Sequence, residues 1–408
     1  MKNSDCIALI LAGGRGSRLS VLTKDVSKPA LPFGGAYRLI DFTLSNCVHS
    51  NVGVIGILTQ YRQRELAEYI GSGKEWHTAE NKAKITTLQS KNAKAQHEGY
   101  HGTADAIWKN LEFVEQHGSE NVLVLSGDHI YKMDYSKMLE AHQNSGAAVT
   151  IAAIEVLWNE ASRFGIINTD ENDRVIDFDE KPQRPKNNLA SMGVYIFNRE
   201  ILKTHLYVSN NNPDSSMDIG RDIIPQMLYF NEKVHVYRFD GYWRDVGNVY
   251  SYWEASMDLL NNPPSIGLCD DDWQIISRNN GVQPYYVNYN SVNESAKKSI
   301  VAGRNLIRGR VIDSVISADV EIGDDANIYN SVIMPGAKIG KGASVIRAIV
   351  GSNSVVGDYT AISNIMPDGL HLDNYQGINV IGNNINISAG SEKRAAFSAY
   401  PHREAYAV

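Results

Sequence analysis

Nine β-branched residues in the last third of the chain are locked to one spacing. Ile316, Ile322 and Ile328 lie six apart, as do Ile333, Ile339 and Val345, and again Val350, Val356 and Ile362, with a step of five between trios. Glycine follows Ile322, Ile339, Val350 and Val356. Neither the 3.6-residue period of a helix nor the two-residue alternation of an ordinary strand produces this pattern. A hexad with one inward aliphatic per side builds a parallel β-helix, each coil stacking on the one below. About three coils are predicted. Gly340-Lys341-Gly342 mimics part of a phosphate loop but belongs to the hexad. The polar, Asn-rich stretch from His371 is assigned only as an edge or tail.

Everything before this repeat has a different grammar. The apolar run Ile7–Leu11 reads as a buried strand, and Gly13, Gly14 and Gly16 follow it, interleaved with Arg15 and Arg18. Glycines let the backbone turn sharply, and free N–H groups with two guanidiniums suit phosphate. The usual templates fail. A dinucleotide fingerprint needs glycine where Leu19 stands, and a P-loop needs Gly-Lys-Ser/Thr where the chain has Gly16-Ser17-Arg18. Further strands are expected at Val52–Leu58 and Val122–Leu125, and helices at Ile40–Cys47, Arg62–Ile70 and Thr103–Glu115. Residues 71–102 read as an aperiodic excursion. Such alternation predicts a mostly parallel, Rossmann-like sheet with helices on both faces, in which ligands bind beyond the carboxyl ends of the strands. The loops after Leu11, Leu58 and Leu125 converge there. From Val149 to Asp245 strands and helices mix: strands at Val149–Val156, Ile166–Asn168, Val175–Phe178, Gly193–Phe197 and Val234–Phe239, helices at Arg199–Leu206 and Asp218–Tyr229. The helix Tyr250–Leu260 ends at Asn261-Asn262-Pro263-Pro264, a boundary signal. The expected organisation is an α/β domain over 1–260, a linker over 261–298, a left-handed β-helix over 299–370 and a tail over 371–408.

The net charge of -7 argues against a nucleic-acid-binding surface. Cys6, Cys47 and Cys269 form no CxxC pair, which excludes a disulfide framework and fits a reducing cytoplasm. The N-terminal run lacks the signal-peptide pattern and is expected to be a strand, and no apolar stretch approaches the length of a membrane span.

Asp128, directly after a buried strand, and Asp245, in Tyr242-Trp243-Arg244-Asp245-Val246-Gly247, are candidate ligands for Mg²⁺, which takes one or two carboxylates plus substrate phosphates. Lys28 and Lys181 each precede a proline that restricts their backbone. His129 follows Asp128 and would point away from it if the strand pleat continued. Anion holders and a metal without a nucleophile–base pair fit transfer between phosphorylated small molecules. An ionised phosphate monoester attacks the α-phosphorus of a nucleoside triphosphate without a general base, so catalysis becomes positioning and charge neutralisation.

On these residues the chain resembles the sugar-nucleotide pyrophosphorylases. Phe33-Gly34-Gly35, Ile40-Asp41-Phe42, Leu44-Ser45-Asn46, Thr59-Gln60-Tyr61, Gly102-Thr103-Ala104-Asp105-Ala106, Gly127-Asp128-His129-Ile130-Tyr131 and Phe178–Pro182 narrow the resemblance to the bacterial glucose-1-phosphate adenylyltransferases. It runs from residue 5 to about 365 and implies the catalytic subunit, making ADP-glucose and pyrophosphate from ATP and α-D-glucose 1-phosphate with Mg²⁺, for glycogen biosynthesis. By position it implies that Arg15, Lys28, Asp128 and Lys181 are catalytic. Leu11, Gly13, Gly14, Gly16, Arg18, Gln60, Tyr100, Gly102 and Thr103 would bind ATP. Gly165, Glu180, Lys181, Ser191, Asp218 and Trp243 would bind glucose 1-phosphate, and Asp128 and Asp245 the metal.

Four departures from the family pattern stand out. His101 replaces Arg or Lys, Gly99 a tryptophan, Ile219 a phenylalanine and Asn248 a threonine. They are expected to touch the ATP-side loop and the rim of the sugar pocket. Met1 lies only a few residues before the first strand, which by resemblance implies a weak activator response. The resemblance also implies a homotetramer, or a heterotetramer with a paralogous subunit. A non-catalytic regulatory subunit and a pyrophosphorylase for another nucleotide or sugar are the alternatives. The first would have lost the Gly/Arg loop, the metal aspartate or the sugar-phosphate lysine. A β-helix acyltransferase is disfavoured because no histidine lies between Ile300 and Ile365 to act as base.

Overall fold

The computed structural model describes residues 5–89, 99–268, 270, 272–278, 283–287, 296–363, 377–390 and 392–393. Its first part is built on a nine-stranded sheet. The strand Cys6–Ala12 lies between Asn121–Ser126 and Val54–Thr59, parallel to both. Cys6 to Ile10 are fully buried, as a strand covered by helices on both faces must be. Beyond Asn121–Ser126 the sheet turns antiparallel through Leu189–Asn198, which also pairs with Val149–Glu155 and touches Gly165–Thr169. Gly165–Thr169 and Val175–Glu180 close that edge, and Val234–Arg238 runs parallel to Val149–Glu155.

Three local expectations are corrected. The excursion over 71–102 contains a strand, Lys84–Gln89, parallel to Val54–Thr59 at the sheet edge. Only its Ile85 is buried, so no apolar alternation marked it. The helix expected over Thr103–Glu115 is two helices, Thr103–Trp108 and Leu111–His117. Asn110, between them, spends its side-chain amide on the Ala106 carbonyl and the Tyr100 hydroxyl, a local bond that competes with helix propagation. The Asp218–Tyr229 helix opens as a π-turn, Ile219–Ile223, before Ile224–Tyr229. Pro225 has no N–H to continue the i→i−4 ladder there.

The hexad residues build three parallel sheets. Ile316 stacks on Ile333 and Val350, Ile322 on Ile339 and Val356, and Ile328 on Val345 and Ile362. All nine are buried in one core, each contributing about 1.5–3 kcal/mol by leaving water. This is the architecture of a left-handed parallel β-helix. Pairing begins earlier than the periodic trios, at Ala296–Lys297, and reaches past residue 370 through Asn379–Ile381, Asn386–Ile387 and Glu392–Lys393. Residues 371–376, 391 and 394–408 of the C-terminal stretch lie outside the described residues.

The β-helix shares a core with the first domain. Ile300, Val315, Val332 and Ile349 pack with Leu19, Leu22, Phe33 and Tyr252. The segment after Asn262 is strapped along the helix Leu39–His49. Trp273 Nε1 donates to Asn46 Oδ1 and Ile276 N to Ser45 Oγ. Cys6 and Cys47 are buried and free, and Cys269 lies outside the described residues. Among the described residues no helix is long and apolar enough to cross a membrane.

Candidate active site

The Gly/Arg loop leaves the end of the central strand and enters a 3₁₀ turn, Ser17–Leu22. Gly16 has φ +64°, and a Cβ there would lie 3.1 Å from Lys28 Cβ. Glycine therefore serves both the left-handed turn and the close approach of Lys28. Thr23 Oγ1 and Leu19 N donate to the Gly16 carbonyl, at 2.9 and 2.8 Å, and close the turn. Arg15 and Arg18 stay exposed, Arg15 with its guanidinium 5.8 Å from the Tyr61 ring centroid. Gln60 lies against Gly13 and accepts the Tyr100 N–H at 3.1 Å. The expected ATP-side residues Leu11, Gly13, Gln60 and Tyr100 are thus neighbours. A Cβ at Gly99 would fall 2.0 Å from Gln60 Nε2. In this arrangement the Gln60 amide occupies the space a side chain at Gly99 would take.

Asp128 and Asp245 come together although they stand 117 positions apart in the chain. His129–Tyr131 and Trp243–Asp245 form a small antiparallel ribbon in which His129 faces Asp245. Lys28 Nζ sits between the carboxylates, 2.6 Å from Asp128 Oδ2 and 3.2 Å from Asp245 Oδ1. Burial by itself would push both carboxyls up. The Lys28 ammonium and the His129 ring, with the hydrogen bonds from Lys28, together outweigh it and hold both below the usual carboxylate range, Asp128 with further help from the Ser126 hydroxyl. Burial would likewise lower Lys28, but the two carboxylates raise it.

His129 corrects the expectation that it points away. Its Nε2 is 3.6 Å from a carboxylate oxygen of each aspartate, and its Nδ1 lies 3.1 Å from the Met192 carbonyl. The pleat does not continue through Gly127, after which a new strand begins and turns the ring inward. His129 and Ser126 are site residues that motif spacing missed. The ribbon register reveals His129, and the local bond from the Ser126 hydroxyl to Asp128 reveals Ser126.

Residues expected on the sugar side lie close to one another. The Trp243 ring packs edgewise on Phe164 and His129. Phe164 leads into Gly165, and Cβ atoms at Gly165 and Gly220 would lie 2.8 and 2.6 Å from Glu180 Oε2. Both glycines leave room for that carboxylate. Lys181 has φ +52°, donates its N–H to the Phe164 carbonyl and pairs its ammonium with Glu180 at 2.7 Å. Ser191 Oγ donates to Tyr195. Asp218 caps the π-turn through Gly220 N and Arg221 N. Two departures prove structural. Ile219 is core, 2 % exposed, not pocket rim. Asn248 caps the helix Val249–Asp258 by accepting the Ser251 N–H, a role asparagine fills well.

The pair of carboxylates fits a divalent cation. Two half-buried carboxylates share a single ammonium and retain lone pairs, and a Mg²⁺ site needs few protein ligands when substrate phosphates complete it. The described residues hold no cluster of three His, Cys, Asp or Glu side chains suited to a self-sufficient metal cage.

Phosphate-ready glycine turn, exposed arginines, lysine and paired carboxylates at the strand ends together describe a nucleotide-handling transferase. The chain belongs to the nucleotidyl transferase family, whose model matches residues 7–262. A second model, the GMPPB C-terminal domain, matches residues 300–404. Among named relatives, the glucose-1-phosphate adenylyltransferases of Bacillus thuringiensis subsp. konkukian (strain 97-27), Bacillus anthracis and Bacillus mycoides (strain KBAB4) are each 49% identical over 357 residues. Each match covers 88% of this chain and 94% of the relative.

Proposed function

We propose that this chain transfers AMP from ATP to α-D-glucose 1-phosphate, giving ADP-glucose and pyrophosphate. The observation that carries this reading is Lys28 held between Asp128 and Asp245 beside the Gly13–Arg18 turn, in a chain similar over most of its length to glucose-1-phosphate adenylyltransferases. The turn and its arginines cradle the triphosphate. Lys28 and Arg15 neutralise charge on the departing pyrophosphate. Gln60, Tyr100 and the Gly102 loop face the base. Gly165, Glu180, Ser191, Asp218 and Trp243 hold the sugar, and Lys181 its phosphate. The phosphate oxygen of glucose 1-phosphate attacks the α-phosphorus, the bond to the bridging oxygen of the β-phosphate breaks, and no protein base is required. Asp128 and Asp245 would hold Mg²⁺, which supplies charge stabilisation of the phosphates when bound. The product would feed glycogen synthesis.

The test is an assay of the purified chain alone against four nucleoside triphosphates and several sugar 1-phosphates, with and without Mg²⁺, alongside a native mass measurement. ADP-glucose formed from ATP and glucose 1-phosphate only with Mg²⁺ supports the reading. Inactivity of the lone chain, or preference for another pair, overturns it. Lys181→Ala is expected to raise KM for glucose 1-phosphate by about 100-fold with a smaller change in kcat, because it removes a charged phosphate contact of about 1.5–3 kcal/mol. An unchanged KM would remove Lys181 from the sugar-phosphate site.

A further inference from the structure

Resting on that assignment of the two substrate sides, we propose that Thr103 is a positioning residue that couples them. Thr103 opens the helix that follows the ATP-side loop, yet its hydroxyl is spent on the sugar-side segment packed against it. It donates to Asp218 Oδ2 at 3.0 Å and accepts the Ile219 N–H at 2.8 Å. Asp218 Oδ1 is already filled by the N–H groups of Gly220 and Arg221. Each carboxylate oxygen offers about two lone-pair sites, so the Thr103 bond decides where the last acceptor position of Asp218 points.

The backbone repeats the same link in the opposite direction. The helix Thr103–Trp108 begins at Gly102, which has no side chain to cap it. Its orphan N–H groups on Ala104 and Asp105 instead donate to the Met217 carbonyl, at 2.9 and 3.1 Å. Met217 holds φ +53°, a conformation costly for a side-chain-bearing residue. A Cβ on Gly102 would lie 2.1 Å from that carbonyl oxygen, so the approach requires glycine. Each loop therefore caps the other: the sugar loop supplies the acceptor for the ATP-side helix, and the ATP-side hydroxyl fixes the sugar-side carboxylate. A nucleotide that orders Gly102 and Thr103 also orders Asp218, and a sugar hydroxyl of glucose 1-phosphate then donates to a preset acceptor. By linkage the effect is reciprocal.

The experiment is calorimetry on the full chain. Glucose 1-phosphate affinity is measured with and without α,β-methylene ATP and Mg²⁺, for wild type, Thr103→Val, Thr103→Ala and Thr103→Ser. In wild type the analogue is expected to tighten glucose 1-phosphate by about 5-fold or more, the lower end of ordinary coupling. Valine and alanine should lower the ratio toward unity, leaving only what the backbone link through Met217 carries, and serine, which keeps both hydrogen bonds, should restore it. Alanine keeps the test open if valine does not fold, because it adds no methyl in place of the hydroxyl. A ratio unchanged in the variants, or a wild-type ratio of unity, overturns the coupling role. Failure of wild type to bind glucose 1-phosphate at all overturns instead the substrate reading on which the proposal rests.

Discussion

Asp128→Asn is expected to fold normally and to lose about 10³-fold or more in kcat. The substitution keeps the shape of the side chain and an acceptor for Ser126, and Lys28 keeps its contact with Asp245. What disappears is one of two carboxylates available to a divalent cation. Metal stabilisation of phosphoryl charge is worth several kcal/mol, and each 1.4 kcal/mol is a factor of about ten in rate. The measurement is steady-state turnover across a Mg²⁺ titration, with circular dichroism and a melting curve as the check on folding. The Mg²⁺ concentration for half-maximal activity should rise as well. Near-normal turnover in a folded variant would remove Asp128 from the metal site, and with it the charge argument built on the ribbon.

The parts of this molecule that sequence disclosed are those fixed by short-range physics. The hexad positions Ile316 to Ile362 can be buried together only in stacked coils, and Gly16 is needed where φ turns positive. The strands Cys6–Ala12 and Asn121–Ser126 are apolar through most of their length because both faces are covered. The edge strand Lys84–Gln89 carries no such mark, because all but one of its side chains are at least partly exposed. The helix break at Asn110 depends on one side-chain bond, which no periodicity registers. The same division runs through the site. Lys28, Asp128 and Asp245 stand in motifs, so their chemistry could be anticipated, but their meeting depends on a ribbon formed between residues far apart in the chain. His129 and the hydroxyl of Thr103 acquire their partners only from that tertiary arrangement.

Lys28→Met is expected to cost stability as well as turnover, and the pH dependence of that cost identifies its origin. Lys28 is 7 % exposed and faces two carboxylates. Removing one partner of a buried ion pair typically costs about 3–5 kcal/mol, because the remaining charge is left uncompensated. Asp128 and Asp245 titrate below their ordinary value in the folded protein. Their contribution is therefore fully present above the unfolded carboxylate pKa and is lost as pH falls through the folded values. Lys28 titrates above its ordinary value, so its contribution is present below the unfolded lysine pKa and lost only as pH rises through the folded one. Methionine removes the ammonium and lets burial push both carboxyls up. Denaturant unfolding in chelator should then show the widest gap between wild type and variant near neutral pH, narrowing as pH falls through the raised carboxyl values of the variant, above the ordinary value of about 4, and on toward the depressed values of wild type. Added Mg²⁺ should recover more stability in the variant than in wild type, since the ion takes over the neutralising charge without first displacing a lysine. A gap independent of both pH and Mg²⁺ would mean that Lys28 contributes packing alone.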